Sequence, residues 1–374
     1  MENPEKNNST SRRTFVKSSV YGAGALLANS AFLTTVASAG EGKKAVVDEE
    51  GSQRLNIKRL KEWESWGYGL FIHFGLSTFV EKEVPYGYDS PIEYAPDKLD
   101  VDQWIRVARD SGMKYAVLTA KHCSGHCLWP SKCTDYTVEN SRDTTDVVRQ
   151  FVDACRKYKI KSGLYYNCYD THHRFGSQTL LDLKPSPVSG SYPRGNESLA
   201  PYTSSIYQNF MKDQLTELLT QYGPIDIIWI DNPAILGVGY RFYLYHYMAG
   251  LQPDAIIMMA NYMEDGSNFD VAAAWPSDLV PIKATLPPPT GHQPWRTIHD
   301  KRYYMPGEVC VPIGKNWFYI EGEIPRKTEE LVNDYLTIRK RNSNLLLNVP
   351  PDKSGMIPRV FVEALSGMKR RLRL

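Results

Sequence analysis

Short apolar runs alternate with stretches of helical spacing along most of this chain. Gly69 to His73, Tyr115 to Thr119, Ser162 to Tyr166, Ile225 to Ile230 and Ala255 to Met259 each read as a buried strand. Between them the spacing turns helical. Asp100 is placed to cap a helix through Asp110 that carries Trp104, Ile105 and Ala108 on one face. Asp146 to Tyr158 puts Val147, Phe151 and Ala154 on another, and Ser205 to Gln221 and Tyr240 to Leu251 follow the same spacing. From Asn261 to Pro325 the periodicity fades, before a helix over Arg326 to Arg341 and a final strand at Leu345 to Val349. Strands alternating with helices predict an α/β chain with a parallel sheet covered by helices. The expected fold is a TIM-like (β/α) barrel of about eight repeats, irregular in its second half. A doubly wound sheet fits the same pattern, but no Gly-rich nucleotide loop follows any early strand.

Composition narrows the chemistry. The chain has 374 residues, with 44 basic and 42 acidic side chains. Residues 1–39 carry Lys6, Arg12, Arg13 and Lys17 against Glu2 and Glu5, which leaves 40 of each sign in the remainder. A neutral body argues against broad electrostatic capture of nucleic acid. Lys369, Arg370, Arg371 and Arg373 read as a solvated basic tail over residues 363–374. Aromatic residues make up 12% of the chain, a content that suits stacking on a polar, weakly charged ligand such as a sugar.

The amino terminus reads as an address. Arg12-Arg13 precedes a mild apolar stretch from Val20 to Val36 that ends Ala37-Ser38-Ala39. This resembles a twin-arginine export signal over 1–39, cleaved before Gly40, followed by a linker over 40–53 and a barrel over 54–362. The expected protein is exported, periplasmic or extracellular, with no membrane span once mature. Six cysteines permit disulfides in that setting without requiring them. His122-Cys123 and His126-Cys127 have some look of a metal cluster, but no second CxxC pair completes one, so no metal is expected.

Candidate chemistry sits where the strands end, because one barrel face gathers the carboxyl ends of all strands. His73 ends the first strand, Lys121 and His122 follow the second, and Tyr165 and Tyr166 end the third. Asp231 ends the fourth after Ile-Ile-Trp229-Ile, and Glu264 follows the fifth. A glycosidase needs two such carboxyls, one to attack or activate water and one to protonate the leaving oxygen. Glu308 competes with Glu264 for the second role. Trp317-Phe318-Tyr319 could serve either as a sugar platform or as packing.

Taken in order, Gly69-Leu-Phe-Ile-His73-Phe-Gly, Ala-Lys-His122, Leu-Trp-Pro-Ser-Lys-Cys-Thr-Asp-Tyr, Gly163-Leu-Tyr165-Tyr, Ile-Trp229-Ile-Asp231, Trp317-Phe318-Tyr319 and Asn344-Leu-Leu-Leu-Asn-Val-Pro-Pro resemble the family 29 glycoside hydrolases, the α-L-fucosidases. The last motifs look more like the α-1,3/4-fucosidase subgroup. The resemblance implies an exo-acting, retaining hydrolase of oligosaccharides or glycans, with Asp231 as nucleophile and Glu264 as acid/base. It also implies sugar contacts from His73, Glu83, His122, Tyr165 and Trp229, and no metal or organic cofactor. The mature length leaves no room for the β-sandwich that the family often carries. Three positions depart from the family pattern: Cys123 stands for a second histidine, Val84 for a tryptophan, and Asn232 for a glycine. His126 is a candidate substitute for the missing histidine. With the pocket altered in this way, the alternative reading is a non-catalytic glycan-binding protein on the same barrel. The sequence does not fix an oligomeric state.

Overall fold

The computed structural model of the protein describes residues 49–85, 87–173, 203–261, 269–283 and 288–374. The expected export signal over 1–39, most of the expected linker and Glu264 lie outside the described residues. In chain order the strands are β1 (Tyr68–Ile72), β2 (Tyr115–Lys121), β3 (Lys161–Asn167), β4 (Ile227–Asp231), β5 (Ile256–Ala260), β6 (Val280–Lys283), β7 (Trp295–Ile298), β8 (Lys301–Tyr304), β9 (Gly307–Pro312) and β10 (Ser343–Asn348). Eight of them form one sheet in the order β5-β4-β3-β2-β1-β10-β9-β6, every pair parallel. The two end strands meet just ahead of β6. There the Ile257 and Asp278 backbones are joined by Asp278 N donating to Ile257 O at 2.8 Å, and Met259 N donates to Ser277 Oγ at 3.1 Å. A ring of parallel strands is the TIM-like arrangement and excludes the doubly wound alternative.

Alternation along each strand sorts side chains into two layers. Phe71, Tyr115, Val117, Tyr165, Ile227, Trp229, Ile256, Met258, Cys310 and Leu346 fill the barrel. Their neighbours Leu70, Ile72, Leu118, Leu164, Ile228, Ile230, Met259, Val311 and Leu347 face outward, against helical residues such as Trp104, Phe151, Met211, Leu244 and Leu365. Burial on both faces explains why these strands are short and almost wholly apolar. The helix Ile57–Trp66 joins the inner layer through Leu60 and Trp63, and its Trp66 ring lies 5.8 Å from Tyr115. Gly69 makes room for Tyr115, since a Cβ there would sit 2.5 Å from the phenol ring.

The helices predicted between the early strands form where the pattern placed them. Asp100 and Asp146 cap Val101–Asp110 and Val147–Tyr158 by accepting the Gln103 and Arg149 amides. Two segments differ from expectation. The expected basic tail is the second half of a helix, Arg359–Leu372, which buries Phe361, Ala364, Leu365 and Met368 and leaves its cations on the outer face. Part of the expected linker is ordered, because Gly51 N donates to Arg302 O at 2.8 Å and Gln53 bonds the Tyr304 backbone. The irregular stretch after Asn261 holds β6, the antiparallel β7–β8 hairpin and β9. No helix among the described residues is long and apolar enough to cross a membrane.

Candidate active site

Parallel strands bring all their carboxyl ends to one mouth, and the last inward residues there are polar. Asp231 closes β4, half-buried. Tyr165 Oη donates to its Oδ2 at 2.6 Å, and Asn167 Nδ2 donates to the same oxygen at 3.1 Å. Asn167 also donates to Tyr165 Oη at 2.8 Å, which ties phenol and carboxylate into one triangle. Asn232 N reaches Asp231 Oδ1 at 3.0 Å. Asn232 holds this position with φ at +56°, left-handed backbone that favours glycine and that asparagine tolerates best among other residues. Its own amide donates to Asn167 Oδ1 at 3.1 Å, which adds a bond that holds the turn.

An aromatic wall rises beside this carboxylate. Trp229 stacks on Tyr165 at 5.3 Å and lies 5.4 Å from Phe71. His122 lies parallel to Tyr165 at 5.7 Å, and His73 stands 5.6 Å from His122. Trp317 closes on His73 at 5.2 Å, with Phe318 edge-on to His73 and His122 at 5.3 and 4.9 Å.

The two histidines are neutral. Burial pushes His73 down to about 3, against the opposing pull of its bond to Asn348. That bond, Nδ1 to Asn348 Oδ1 at 2.7 Å, also sets the tautomer. Asn348 Nδ2 donates to Trp317 O at 2.8 Å, so its oxygen faces His73, whose Nδ1 carries the proton. Nε2 is left as an acceptor suited to a ligand hydroxyl. His122 is lowered by burial and then by the neighbouring His73 and Lys121. Its Nδ1 lies 3.2 Å from the sulfur of Cys123, a buried thiol raised by burial and by the nearby charge of Asp231.

Glu83 holds the tryptophan segment. Its Oε1 accepts the Trp317 and Phe318 amides at 2.6 and 3.2 Å, and burial raises the carboxyl to about 7 despite those bonds. Behind His122, Lys121 Nζ pairs with Asp170 Oδ2 at 2.9 Å with both side chains buried. Asp170 also takes His173 Nδ1 at 2.8 Å. Burial alone would raise Asp170, but the Lys121 charge and the His173 bonds outweigh it and hold the carboxyl below its usual range. Gly125 packs against this pair at a φ of +86°, and a Cβ there would lie 2.5 Å from Asp170 Oδ1.

The structure therefore brings together Asp231, His73, His122, Tyr165, Trp229 and Trp317, with Glu83 supporting the last. Three sequence candidates fall elsewhere. His126 is 3% exposed, enclosed by the Tyr94 and Tyr136 rings at 5.2 and 5.6 Å, with Nε2 bonded to Ser141 Oγ at 2.9 Å. It therefore does not take the pocket place that the sequence reading offered it. Tyr319 packs on the outer layer, 6.3 Å from Phe361 of the last helix. Glu308 lies near the start of β9, 0% exposed, with both oxygens accepting hydrogen bonds inside the barrel. It is sealed off from the mouth. Asn167, Asn348 and Phe318 support the site without having been assigned a role there from the sequence. For the two asparagines a signal existed: each lies two residues beyond an inward side chain, Tyr165 or Leu346, and so shares its face.

All six cysteines are free thiols. Among the described residues no group of three or more His, Cys, Asp or Glu side chains is arranged to hold a metal ion.

The model of the alpha-L-fucosidase family matches residues 36–373. Alpha-L-fucosidase 1 of Arabidopsis thaliana is 29% identical over 321 residues, which covers 81% of this chain and 57% of the plant protein. A rice relative, covered over 54% of its length, gives the same picture: the chain spans little more than half of these curated relatives. Among solved structures, a Bacteroides thetaiotaomicron protein matches with a TM-score of 0.68 at 30% identity, over 84% of this chain and 67% of that one. Alpha-L-fucosidase isoenzyme 1 of Paenibacillus thiaminolyticus matches with a TM-score of 0.67 at 25% identity, over 84% and 75%.

Proposed function

Because the chain belongs to the alpha-L-fucosidase family, we propose that it is an exo-acting, retaining glycoside hydrolase that releases a terminal α-L-fucose or a closely related L-sugar from glycans. The observation that carries this reading is Asp231 at the barrel mouth, bonded by Tyr165 and Asn167 and faced by two neutral histidines and a tryptophan. Asp231 attacks the anomeric carbon while Glu264 donates its proton to the departing oxygen, and the C1–O bond to the aglycone breaks. Glu264 then takes a proton from water, which attacks C1 and expels Asp231, so two inversions give net retention. His73 accepts from a sugar hydroxyl through Nε2, and Trp229 and Trp317 offer ring faces to the apolar side of the sugar.

The altered positions bear on selectivity. Cys123 presents a weak donor where a histidine would bind a hydroxyl firmly, which favours a sugar whose hydroxyl there is modified or displaced. Linkage preference is assigned to the α-1,3/4 subgroup on the likeness of the closing motifs. Aryl α-L-fucoside, L-galactoside and modified-fucoside donors, assayed side by side, test the reading, and turnover of none of them rejects it.

Tyr165→Phe removes one hydrogen bond to a charged oxygen, a contribution of about 1.5–3 kcal/mol. It should lower kcat/KM roughly ten- to a hundred-fold, with a melting temperature lowered by a few degrees and the protein still folded at the assay temperature. Steady-state kinetics on the aryl fucoside check this, and an effect under twofold would remove Tyr165 from the mechanism. We also propose export by the twin-arginine route, on the strength of Arg12-Arg13 and the small residues before Gly40. The secreted protein should then begin at Gly40, and an intact Met1 on periplasmic or extracellular material would contradict it.

A further inference from the structure

A fully buried carboxyl inside an apolar barrel is costly unless it is used. Glu308 is 0% exposed on β9, and it is not placed to reach a substrate. Its two oxygens serve different strands: Oε2 accepts from Tyr115 Oη of β2 at 2.6 Å, and Oε1 accepts from Trp229 Nε1 of β4 at 3.1 Å. An indole N–H can only donate, so Trp229 requires an acceptor at this point of the barrel. The ring so held stacks on Tyr165, and Tyr165 donates to Asp231. A continuous line of contacts thus runs from the barrel interior to the carboxylate at its mouth.

We propose that Glu308 is a positioning residue of the fucosidase reaction: by accepting the Trp229 N–H it fixes the indole, and through the Trp229–Tyr165 stack the orientation of Asp231. This rests on the function proposed above. The bond survives titration. Burial raises Glu308 to about 7, with the Tyr115 and Trp229 bonds opposing. Ionised, the carboxyl accepts from both partners. Protonated, it donates through Oε2 to the phenol oxygen while Oε1 still accepts from the indole. The other titratable groups near it are Cys310, raised by burial and then by Glu308 and Asp231, and Tyr115 itself. The acceptor oxygen, rather than the charge, is therefore what Trp229 needs.

The test compares full-length wild type, Glu308→Gln, Glu308→Leu, Trp229→Phe and the double variant Glu308→Leu/Trp229→Phe on an aryl α-L-fucoside, with melting curves for each. Glu308→Gln keeps an acceptor and should stay within about threefold of wild-type kcat with the same pH profile. Glu308→Leu should lose about ten- to a hundred-fold in kcat with little change in KM, because a misplaced ring and carboxylate affect the reacting geometry. In the Trp229→Phe background the leucine should add nothing, since no N–H remains to be held. Should Glu308→Leu fail to fold, benzothienylalanine at position 229 removes the N–H, keeps the bicyclic ring, and should reproduce the loss. Wild-type kcat in Glu308→Leu or in the benzothienylalanine protein overturns the proposal, as do losses that multiply in the double variant. An inactive wild type rejects the fucosidase reading itself, whereas an active wild type with indifferent variants rejects only the role of Glu308.

Discussion

Asp231→Asn should abolish turnover, with kcat down on the order of 10⁴–10⁶-fold, as when the nucleophile of a covalent mechanism is removed. The amide has the shape of the carboxylate but accepts through one oxygen: placed at the Oδ2 position it keeps the bonds from Tyr165 and Asn167 and gives up the one from Asn232 N to Oδ1. Stability should fall by no more than about 3 kcal/mol, the upper net worth of one hydrogen bond to a charged group. The variant therefore separates chemistry from folding. Glycan binding should persist, because His73, His122 and Trp317 hold their positions through Asn348, Phe318 and Glu83 rather than through Asp231. A variant that binds but does not turn over, beside an active wild type, excludes the non-catalytic binding reading. Equal inactivity of both would favour it.

The second large effect is assigned to Glu264. Replacement by Gln removes the proposed proton donor, and general acid catalysis contributes about 10²–10⁴-fold. The loss should depend on the leaving group: near the full amount for an oligosaccharide, whose departing alkoxide needs the proton, and small for a dinitrophenyl glycoside, whose phenolate leaves unaided. A uniform loss across leaving groups would make Glu264 a binding residue. Glu308 is not a substitute donor, because both its oxygens are engaged below Trp229.

How much of this could be read from the chain depended on burial. β1 to β5 and β10 are buried on both faces, so their apolar runs stand out, and each predicted strand lies within two residues of the observed one. The stretch after Asn261 hid its strands for the opposite reason. β7 and β8 form a half-exposed hairpin carrying Arg296, Lys301 and Arg302, and β6 is four residues long with a proline inside. Cations concealed the last helix as well: Lys369, Arg370 and Arg371 crowd its final turn, where they complement the helix dipole, while its apolar face repeats at helical spacing through Phe361, Leu365 and Met368.

At the site, chain position served better than chemical type. Asp231 and His73 were legible because a polar residue closing an apolar strand must face the mouth. His126 was misplaced because nearness in sequence to His122 was read as nearness in space, while the turn at Gly125 sends it toward Tyr94 and Tyr136. Tyr319 failed for a related reason, since three consecutive aromatics cannot all face one pocket. Asn167 and Asn348 received no role because an amide has no motif of its own, although their place on the inward face was fixed by alternation.

The most direct measurement is to trap the intermediate. A 2-deoxy-2-fluoro-α-L-fucosyl donor with a good leaving group slows both steps and release most, so that a covalent sugar accumulates. Digestion and mass spectrometry of the trapped protein should place one fluorofucosyl group on the peptide containing Asp231, with none formed in Asp231→Asn. A label on any other carboxylate, or steady release of sugar with no adduct and inverted configuration, would contradict Asp231 as the nucleophile of a retaining fucosidase.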